Sequence, residues 1–303
     1  MKELYPMRGV ITTVNTPFNE DLTINWSDLR RTAEAALEAG VSGFLAPCFA
    51  SEIDELTNEE RYRMVTELLA VTHQAGHGIV MPNVRGKTKD DCVEQAKRYL
   101  DLGVDGVNIF MPTVTEESYR ELVAAVDELH PPFLCLQDTK DNELRAPFVK
   151  SMFDEFESFR CIKIETANPG PDYTAILKAT DGRLNVSGSW GSDQMIEAFD
   201  RGIHALMPSG LFELFVNVYR LYHEKSREAA MKLFFDILPI IVFTRQSDSA
   251  NLSLHKRYFQ RLGLYTTTKF RAPFAVDAVQ AHYIEEMIDR ALYIRDHMDQ
   301  YWQ

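Results

Sequence analysis

Cysteine is scarce in this sequence, and none of it is arranged as a pair. The four cysteines form neither a CxxC motif nor a zinc-ligand spacing; they are Cys48, Cys92, Cys135 and Cys161. This spacing argues against a disulfide framework and favours free buried thiols. We therefore expect a cytoplasmic protein, in a reducing compartment.

Signals for membranes, nucleotides and metals are also missing. No stretch approaches the roughly 20 apolar residues of a membrane span, and the opening MKELYPMRGV has no apolar signal core. No GxGxxG or GxxxxGK[ST] motif follows the first apolar run, and the histidines show no HxH or HExxH spacing. These absences predict no membrane partner, no cofactor and no metal.

Positive charge is in deficit. The chain has 32 Lys and Arg against 45 Asp and Glu, a formal net charge of −13, and such a surface repels the phosphate backbone of nucleic acids. One local lysine can still dominate a pocket, so an anionic substrate remains compatible with this charge. The hydrophobic share of 45% and the charged share of 25% are those of a globular protein.

A junction of helix, glycine and strand recurs along the chain. In residues 36–45, 99–109 and 198–207 an amphipathic pattern turns on a glycine and enters a short apolar run; the glycines are Gly40, Gly103 and Gly202. Glycine past a helix end supplies the left-handed residue that stops it, and the apolar run is typical of a buried parallel strand. The three copies of this junction predict repeated helix–strand units.

Helix starts are marked by capping residues. Thr57 and Glu60 form a capping box, and Thr88 and Thr115 open two further helices. The predicted helices are 26–39, 57–75, 88–102, 115–129, 146–154, 171–179, 191–201, 210–225, 227–245, 249–262 and 276–299. The predicted strands are 9–15, 43–47, 78–82, 106–110, 133–137, 161–164, 184–187 and 204–208.

Eight strands alternating with helices predict an α/β fold, a closed (β/α)8 TIM barrel. The alternative, a doubly wound open sheet, lacks its phosphate fingerprint. We assign residues 1–225 to the barrel and residues 226–303 to a C-terminal helical extension.

Lys163 is the candidate nucleophile. Barrel chemistry occurs at the carboxyl ends of the strands, and alternation places Ile162 and Ile164 on the face opposite Lys163. An inward lysine is costly unless it is used, and burial favours a nucleophilic amine suited to imine chemistry. The alternatives from spacing alone are a surface lysine or an ion pair with Glu165.

Other polar residues follow the predicted strands. They are Thr12, Thr13, Asn15, Asn83, Arg85, Gln137, Asp138, Glu165, Ser187, Ser189, Ser209 and the segment 48–52. Within that segment Glu52 is a candidate general base, and the alternative is a carboxylate that ties down the turn before Thr57.

Several motifs, in order, resemble the dihydrodipicolinate synthase / N-acetylneuraminate lyase family of Schiff-base barrels over nearly the whole chain. They are GVITTVNTPF (9–18), CFASE (48–52) with LTNEE (56–60), IKIET (162–166), SGSWG (187–191) and RAP (271–273). The resemblance implies that Lys163 is the imine lysine and that Gly188 matches the family's loop glycine.

The sequence departs from the family at the catalytic positions. Phe49 and Ala50 replace the paired threonines that hold the substrate carboxylate, and Leu136-Gln137 replaces the pair that carries the relay tyrosine. The run QDTKDN holds no counterpart of the family's arginine, which argues against lysine biosynthesis. FASE, LQ and KIET are similar to the branch that includes 2-keto-3-deoxy-L-arabinonate dehydratase, which implies a hydro-lyase.

The resemblance and the strand ends together give the expected site. The catalytic candidates are Lys163, Glu52, Gln137 and Asp138. The substrate-binding candidates are Thr13, Ala50, Ser51, Glu165, Gly188 and Ser189, with Ser51 and the amides of residues 50 and 51 holding the carboxylate.

The expected substrate is a small 2-keto acid, dehydrated through an imine on Lys163. The alternatives are an aldol-type carbon–carbon lyase, a dihydrodipicolinate synthase-like condensation and a non-catalytic keto-acid sensor. The resemblance also implies a homo-oligomer, a tetramer.

Overall fold

Parallel strands alternate with helices along the first two thirds of the chain. The structure, a computed structural model, describes residues 2–110, 115–139, 144–189 and 192–303. The strands are β1 (Gly9–Thr13), β2 (Gly43–Leu45), β3 (Ile79–Met81), β4 (Asn83–Val84), β5 (Val107–Ile109), β6 (Leu134–Thr139), β7 (Phe159–Glu165), β8 (Asn185–Ser189) and β9 (Ala205–Met207).

The helices cover the outside of these strands and continue to the C-terminal end. They are α1 (Trp26–Glu38), α2 (Asn58–Ala75), α3 (Lys89–Asp101), α4 (Glu116–Asp127), α5 (Ala146–Glu155), α6 (Pro169–Ala179), α7 (Met195–Asp200), α8 (Phe212–Arg220), α9 (Arg227–Thr244), α10 (Asp248–Arg261), α11 (Ala278–Asp296) and α12 (Asp299–Trp302). Two single 3₁₀ turns, Phe49–Ser51 and Ile53–Glu55, follow β2, and a π-helical turn, Leu221–Lys225, follows α8.

The sheet closes on itself. Its order is β3-β2-β1-β9-β8-β7-β6-β5-β4, so the two ends of the order are the consecutive segments β3 and β4. All of the strand pairs are parallel. β3 and β4 lie on either side of Pro82 and together serve as one strand of the barrel. The nine segments therefore make eight strands, which confirms the predicted (β/α)8 barrel.

Pro82 explains why one predicted strand, 78–82, is observed as two segments. Proline has no N–H to donate to the ladder. The chain continues across it, since the Asn83 amide donates to Pro47 O (3.0 Å) and the Asn108 amide donates to Pro82 O (2.9 Å). The register of the barrel is therefore kept on both sides of the proline.

The predicted helix-ending glycines and the predicted capping box are confirmed. Gly40, Gly103 and Gly202 have φ values of 98°, 87° and 88°, in the region that favours glycine. Thr57 accepts from the Glu60 amide while the Glu60 carboxylate accepts from the Thr57 amide, as a capping box requires. The helix predicted at 191–201 would begin at residue 191, and residues 190–191 lie outside the described part of the chain.

The barrel interior is layered. A cluster of inward apolar residues fills its lower part, among them Ile11, Leu45, Met81, Cys135 and Cys161. Alternation then places the side chains of Gln137 and Lys163 one step further toward the carboxyl ends of β6 and β7. Asn185 and Ser187 of β8 interrupt this apolar floor, and the main polar layer lies at the mouth, where barrel chemistry occurs.

The segment from α10 onward is anchored on the carboxyl ends of β1 and β2. Tyr265 donates its hydroxyl hydrogen to Asn15 O (2.5 Å) and Thr267 donates to Phe18 O (2.5 Å). Among the described residues, no helix is both long and apolar enough to cross a membrane.

A buried ion pair also links this segment to the barrel. The Lys256 ammonium of α10 lies 2.6 Å from Glu52 Oε1, and neither side chain is more than 1% exposed. Glu52 Oε2 accepts from the amides of Arg271 and Ala272, both at 2.9 Å. Lys256 also donates to Lys269 O (2.6 Å), so both charges are fully engaged.

We expect Glu52→Gln and Lys256→Met each to destabilise the fold by about 3–5 kcal/mol, because each leaves a buried charge without its partner. The double variant removes both charges and should lose clearly less than the sum of the two single losses. Urea unfolding of the four proteins measures this coupling. Additive losses would show that the two residues do not interact.

Candidate active site

A cavity of about 210 Å³ opens at the carboxyl ends of the barrel strands. Its polar lining comes from six of the nine strand segments or the loops after them, and from α10. These polar residues are Thr13, Asn83, Gln137, Thr139, Lys163, Glu165, Ser189, Ser209, Asp248 and Asn251. Cys48, Phe49, Ala50, Phe110 and Met207 complete the lining.

Lys163 lies at the centre of the polar layer. Its side chain is 5% exposed, and its Nζ is 3.0 Å from Glu165 Oε1. Register places Gln137 and Ser187 beside it on the neighbouring strands. Burial raises the pKa of the nearby Cys48 thiol, against the opposing effect of the Lys163 charge. The structure thus contains both the inward lysine and the ion pair, which the sequence had left as alternatives.

A chain of carboxamides continues from Glu165 around one side of the barrel. Gln137 Nε2 donates to Glu165 Oε2. Asn108 Nδ2 donates both to Gln137 Oε1 (2.9 Å) and to Asn83 Oδ1 (2.8 Å). Four neighbouring strands therefore share one hydrogen-bonded network, which fixes the Glu165 carboxylate against Lys163.

Hydroxyl groups occupy the other side of the cavity. Thr13 Oγ1 and Ser209 Oγ lie 2.6 Å apart, and their backbones form an isolated parallel bridge. Ser189 Oγ donates to Met207 O (2.7 Å). This side carries no ionisable side chain among the strand residues that the structure describes there.

Two expected residues of the turn after β2 lie outside the cavity. Ser51 is fully buried; its hydroxyl donates to Val14 O (2.6 Å) and accepts from the Cys48 amide (3.1 Å). Glu52 is held by Lys256 and two backbone amides, as described above. Both residues have structural contacts and neither is among the residues that line the cavity, whereas Ala50 is.

Asp138 and Gly188 face the helices instead of the barrel interior. Asp138 is buried and accepts from the Leu144 amide (2.8 Å). A Cβ on Gly188 would lie 2.7 Å from the Tyr173 hydroxyl on α6. Alternation explains both positions, because the preceding residue in each strand points inward.

Four polar residues of the site were not anticipated: Asn108, Asp248, Asn251 and Thr139, which ends β6. Asn108 is inward in the short strand β5, and the same alternation that identified Lys163 indicates it. Asp248 and Asn251 come from the docked helix α10, and no local pattern places that helix over the barrel. The described part of the chain contains no cluster of three or more histidine, cysteine or acidic side chains able to hold a metal.

We expect Ser51→Ala to lower the free energy of unfolding by about 1–3 kcal/mol, because it leaves Val14 O and the Cys48 amide without a buried partner. KM for a keto acid should stay within twofold of the wild-type value. Urea unfolding and steady-state kinetics test the two statements. A tenfold rise in KM at unchanged stability would return Ser51 to the binding site.

Comparison with known proteins agrees with the fold. Residues 6–129 match the family model described as the dihydrodipicolinate synthetase family. An uncharacterised DapA-like lyase of Halobacterium salinarum is 26% identical over 237 residues, covering 74% of this chain and 75% of that protein. A 4-hydroxy-tetrahydrodipicolinate synthase of Salinibacter ruber is 29% identical over 122 residues, 40% of each chain.

Solved structures show the same fold. Dihydrodipicolinate synthase from Rhodopseudomonas palustris superposes with a TM-score of 0.86 at 21% identity, covering 96% of this chain and all of that one. The 4-hydroxy-tetrahydrodipicolinate synthase from Methylacidiphilum fumariolicum gives 0.88 at 16% identity, covering 98% and 100%. The chain is therefore similar to the dihydrodipicolinate synthetase family over residues 6–129, and this match together with the DapA-like relatives indicates a lyase of the class I aldolase type.

Proposed function

We infer that Lys163 forms a Schiff base with a small 2-keto acid and that the enzyme dehydrates a 2-keto-3-deoxy sugar acid. The observation that carries this is the contact of 3.0 Å between a buried amine and the Glu165 carboxylate at the centre of the cavity. An amine held out of bulk water is suited to attack a carbonyl. The acceptor beside it is suited to receive a proton from the adduct.

The proposed reaction conserves atoms and protons with these two residues. The Lys163 ammonium passes one proton to Glu165, and the free amine adds to the C2 carbonyl. The resulting hydroxyl takes that proton back and leaves as water, giving an iminium ion that acidifies C3. Glu165 removes a proton from C3, and the enamine electrons expel the C4 hydroxyl. That hydroxyl takes the proton from Glu165 and leaves as water, and hydrolysis then returns the amine. The released keto acid tautomerises to a semialdehyde.

Two features favour dehydration over carbon–carbon cleavage. C3 is one bond from the iminium carbon, so a carboxylate in contact with Nζ is placed near C3. Cleavage needs a group that takes a proton from the C4 hydroxyl. The Gln137 amide, which stands where the family resemblance expects a tyrosine pair, has no ionisable proton for that task. Aldol-type cleavage to pyruvate remains the second candidate, since it uses the same imine.

We also propose that the chain forms a homo-oligomer, and a tetramer as the family resemblance implies. Large apolar side chains on the outer helices support self-association. Phe235 and Val242 on α9 are 57% and 53% exposed, and Val279 on α11 is 79% exposed. Exposed apolar surface of this kind is typical of protein interfaces when it is contiguous.

Borohydride should trap pyruvate as a stable adduct on Lys163. The reduced adduct is mapped by peptide mass spectrometry, with Lys163→Arg as the matched control because it keeps the charge but forms no imine. We expect adduct on the wild-type enzyme at position 163 and none on the control. An adduct on another lysine, or no adduct with any keto acid tried, would refute the proposal.

Glu165→Gln should lower kcat for dehydration by about a hundred- to ten-thousandfold, because an amide cannot take the C3 proton. Imine formation should survive, so trapping on Lys163 is the internal control. Glu157→Gln, just before the other end of β7 and 81% exposed, is the surface control. Product analysis with 2-keto-3-deoxy sugar acids should find semialdehyde, and pyruvate with an aldehyde fragment would favour the lyase alternative.

A further inference from the structure

A second, smaller cavity lies directly behind the wall of the catalytic cavity. Its volume is about 20 Å³, and its polar lining comes from Ser209, Thr244, Asn251 and His255. Leu211, Phe215 and Ile241 complete the lining. Ser209 and Asn251 also line the catalytic cavity. These two side chains therefore separate the smaller cavity from the space in which Lys163 reacts.

His255 is a buried polar group of this smaller cavity that lacks a partner. The residue is 2% exposed, and its Nδ1 is buried with no hydrogen bond to any residue that the structure describes. Burial lowers the pKa of the imidazole to about 3, so at neutral pH the ring is uncharged and carries one N–H donor and one acceptor nitrogen. Buried polar groups are nearly always hydrogen-bonded, and an unpaired one is costly. The ring therefore needs a partner from outside the chain.

The position of this ring is fixed by the backbone beside it. Gly210 has a φ of 59°, and a Cβ at this residue would lie 2.2 Å from His255 Cδ2. The imidazole thus packs directly on the chain that follows Ser209. Asn251 lies one turn before His255 on α10, so the two side chains share a face of the helix. The Asn251 amide makes no hydrogen bond within the described part of the chain.

One water molecule fits the smaller cavity in both size and chemistry. A buried site needs about 10–15 Å³ to hold a water, which then makes roughly two to four hydrogen bonds. The imidazole, the Asn251 amide and the Ser209 hydroxyl can each bond to it. The Thr244 hydroxyl donates to Ile241 O (2.7 Å) and can still accept. An apolar occupant would leave these groups unpaired, so water is the ligand that they favour.

We propose that this cavity binds one water and that this water exchanges with C2 of the imine on Lys163. It adds to C2 when the imine is hydrolysed, and the water lost when the imine forms returns to the same place. The proposal rests on the imine assigned to Lys163 under the proposed function. His255 is then a positioning residue, because it acts through the water and does not touch the substrate.

The exchange balances with groups already described. In hydrolysis the water oxygen bonds to C2 of the iminium ion, and one water proton passes to Glu165. Glu165 gives that proton to the nitrogen, and the C2–N bond breaks with its electrons going to nitrogen. The proton that remains on the C2 oxygen moves to the amine, which leaves the keto acid and the Lys163 ammonium.

Imine formation is the reverse of this sequence and passes through the same transition states. A site that positions the water therefore changes the rates of formation and hydrolysis by the same factor. The equilibrium between free enzyme and imine stays where it was, because only the transition state gains the interaction. A residue that merely shapes the cavity would instead change the affinity for the keto acid.

The test uses pyruvate, which forms the imine but has no C4 to eliminate or cleave. Each cycle of imine formation and hydrolysis replaces the C2 oxygen with solvent oxygen, so uptake of oxygen-18 from labelled water measures the rate. Lys163→Arg gives the spontaneous background. His255→Leu should lower the enzymatic exchange about three- to tenfold, the loss expected for one hydrogen bond between neutral groups. Calorimetric titration with pyruvate should give an affinity within about twofold of wild type. His255→Gln should recover most of the exchange, because its amide keeps a donor and an acceptor.

Thr244→Ile repeats the test from α9. Thr244 lines the smaller cavity and not the catalytic one, and the longer apolar side chain fills the place of the water. Exchange should fall with the affinity retained, as for His255→Leu. Leu254→Ala is the matched control, because Leu254 precedes His255 on α10, is buried and lines neither cavity. Both its exchange rate and its affinity should stay close to those of the wild type.

The outcomes separate the water site from the imine. Unchanged exchange in both His255→Leu and Thr244→Ile, or a parallel loss of exchange and affinity, would overturn the water site while borohydride still traps pyruvate on Lys163. Failure of the wild-type enzyme to give that adduct would instead refute the imine itself.

Discussion

A cation inside an apolar barrel must be matched by an acceptor, and the contact between Lys163 and Glu165 meets this requirement. The rest of the polar layer follows from it. Glu165 is fixed by Gln137, Gln137 accepts from Asn108, and Asn108 also binds Asn83. The floor beneath these side chains is largely apolar. One buried charge thus organises four strands at the mouth of the barrel.

The carboxamide network also bears on the proposed chemistry. Glu165 and Lys163 belong to the same strand, so the carboxylate keeps a fixed place relative to the amine. A substrate held at C2 by Lys163 would meet this carboxylate on one face of C3. We therefore expect the proposed elimination to remove one of the two C3 hydrogens.

The sequence predicted the barrel well because its signals are local. The glycines at 40, 103 and 202 end helices for a backbone reason, and alternation in a short strand is enough to point Lys163 inward. The same alternation would have excluded Asp138 and Gly188 and included Asn108, had it been applied at every strand. Pro82 divided one strand because a proline cannot donate to the ladder.

Other features of the site depend on contacts between distant parts of the chain. In the sequence, Glu52 can be recognised only as a carboxylate near a strand end. Its partner Lys256 lies 204 residues further along the chain. Asn251 enters the cavity only because α10 docks on the barrel. No periodicity or spacing encodes that docking, so the residues that the extension contributes to the site could not be predicted from the sequence.

The position of Glu52 has a consequence for how the chain evolves and folds. The residue belongs to a barrel loop, but every group that satisfies its carboxylate belongs to the segment from α10 onward. A barrel released from that segment would lose the ammonium and both amides that hold this carboxylate. We therefore expect the barrel and the segment from α10 onward to unfold together, and a lineage that shed that segment would first have to find other partners for Glu52.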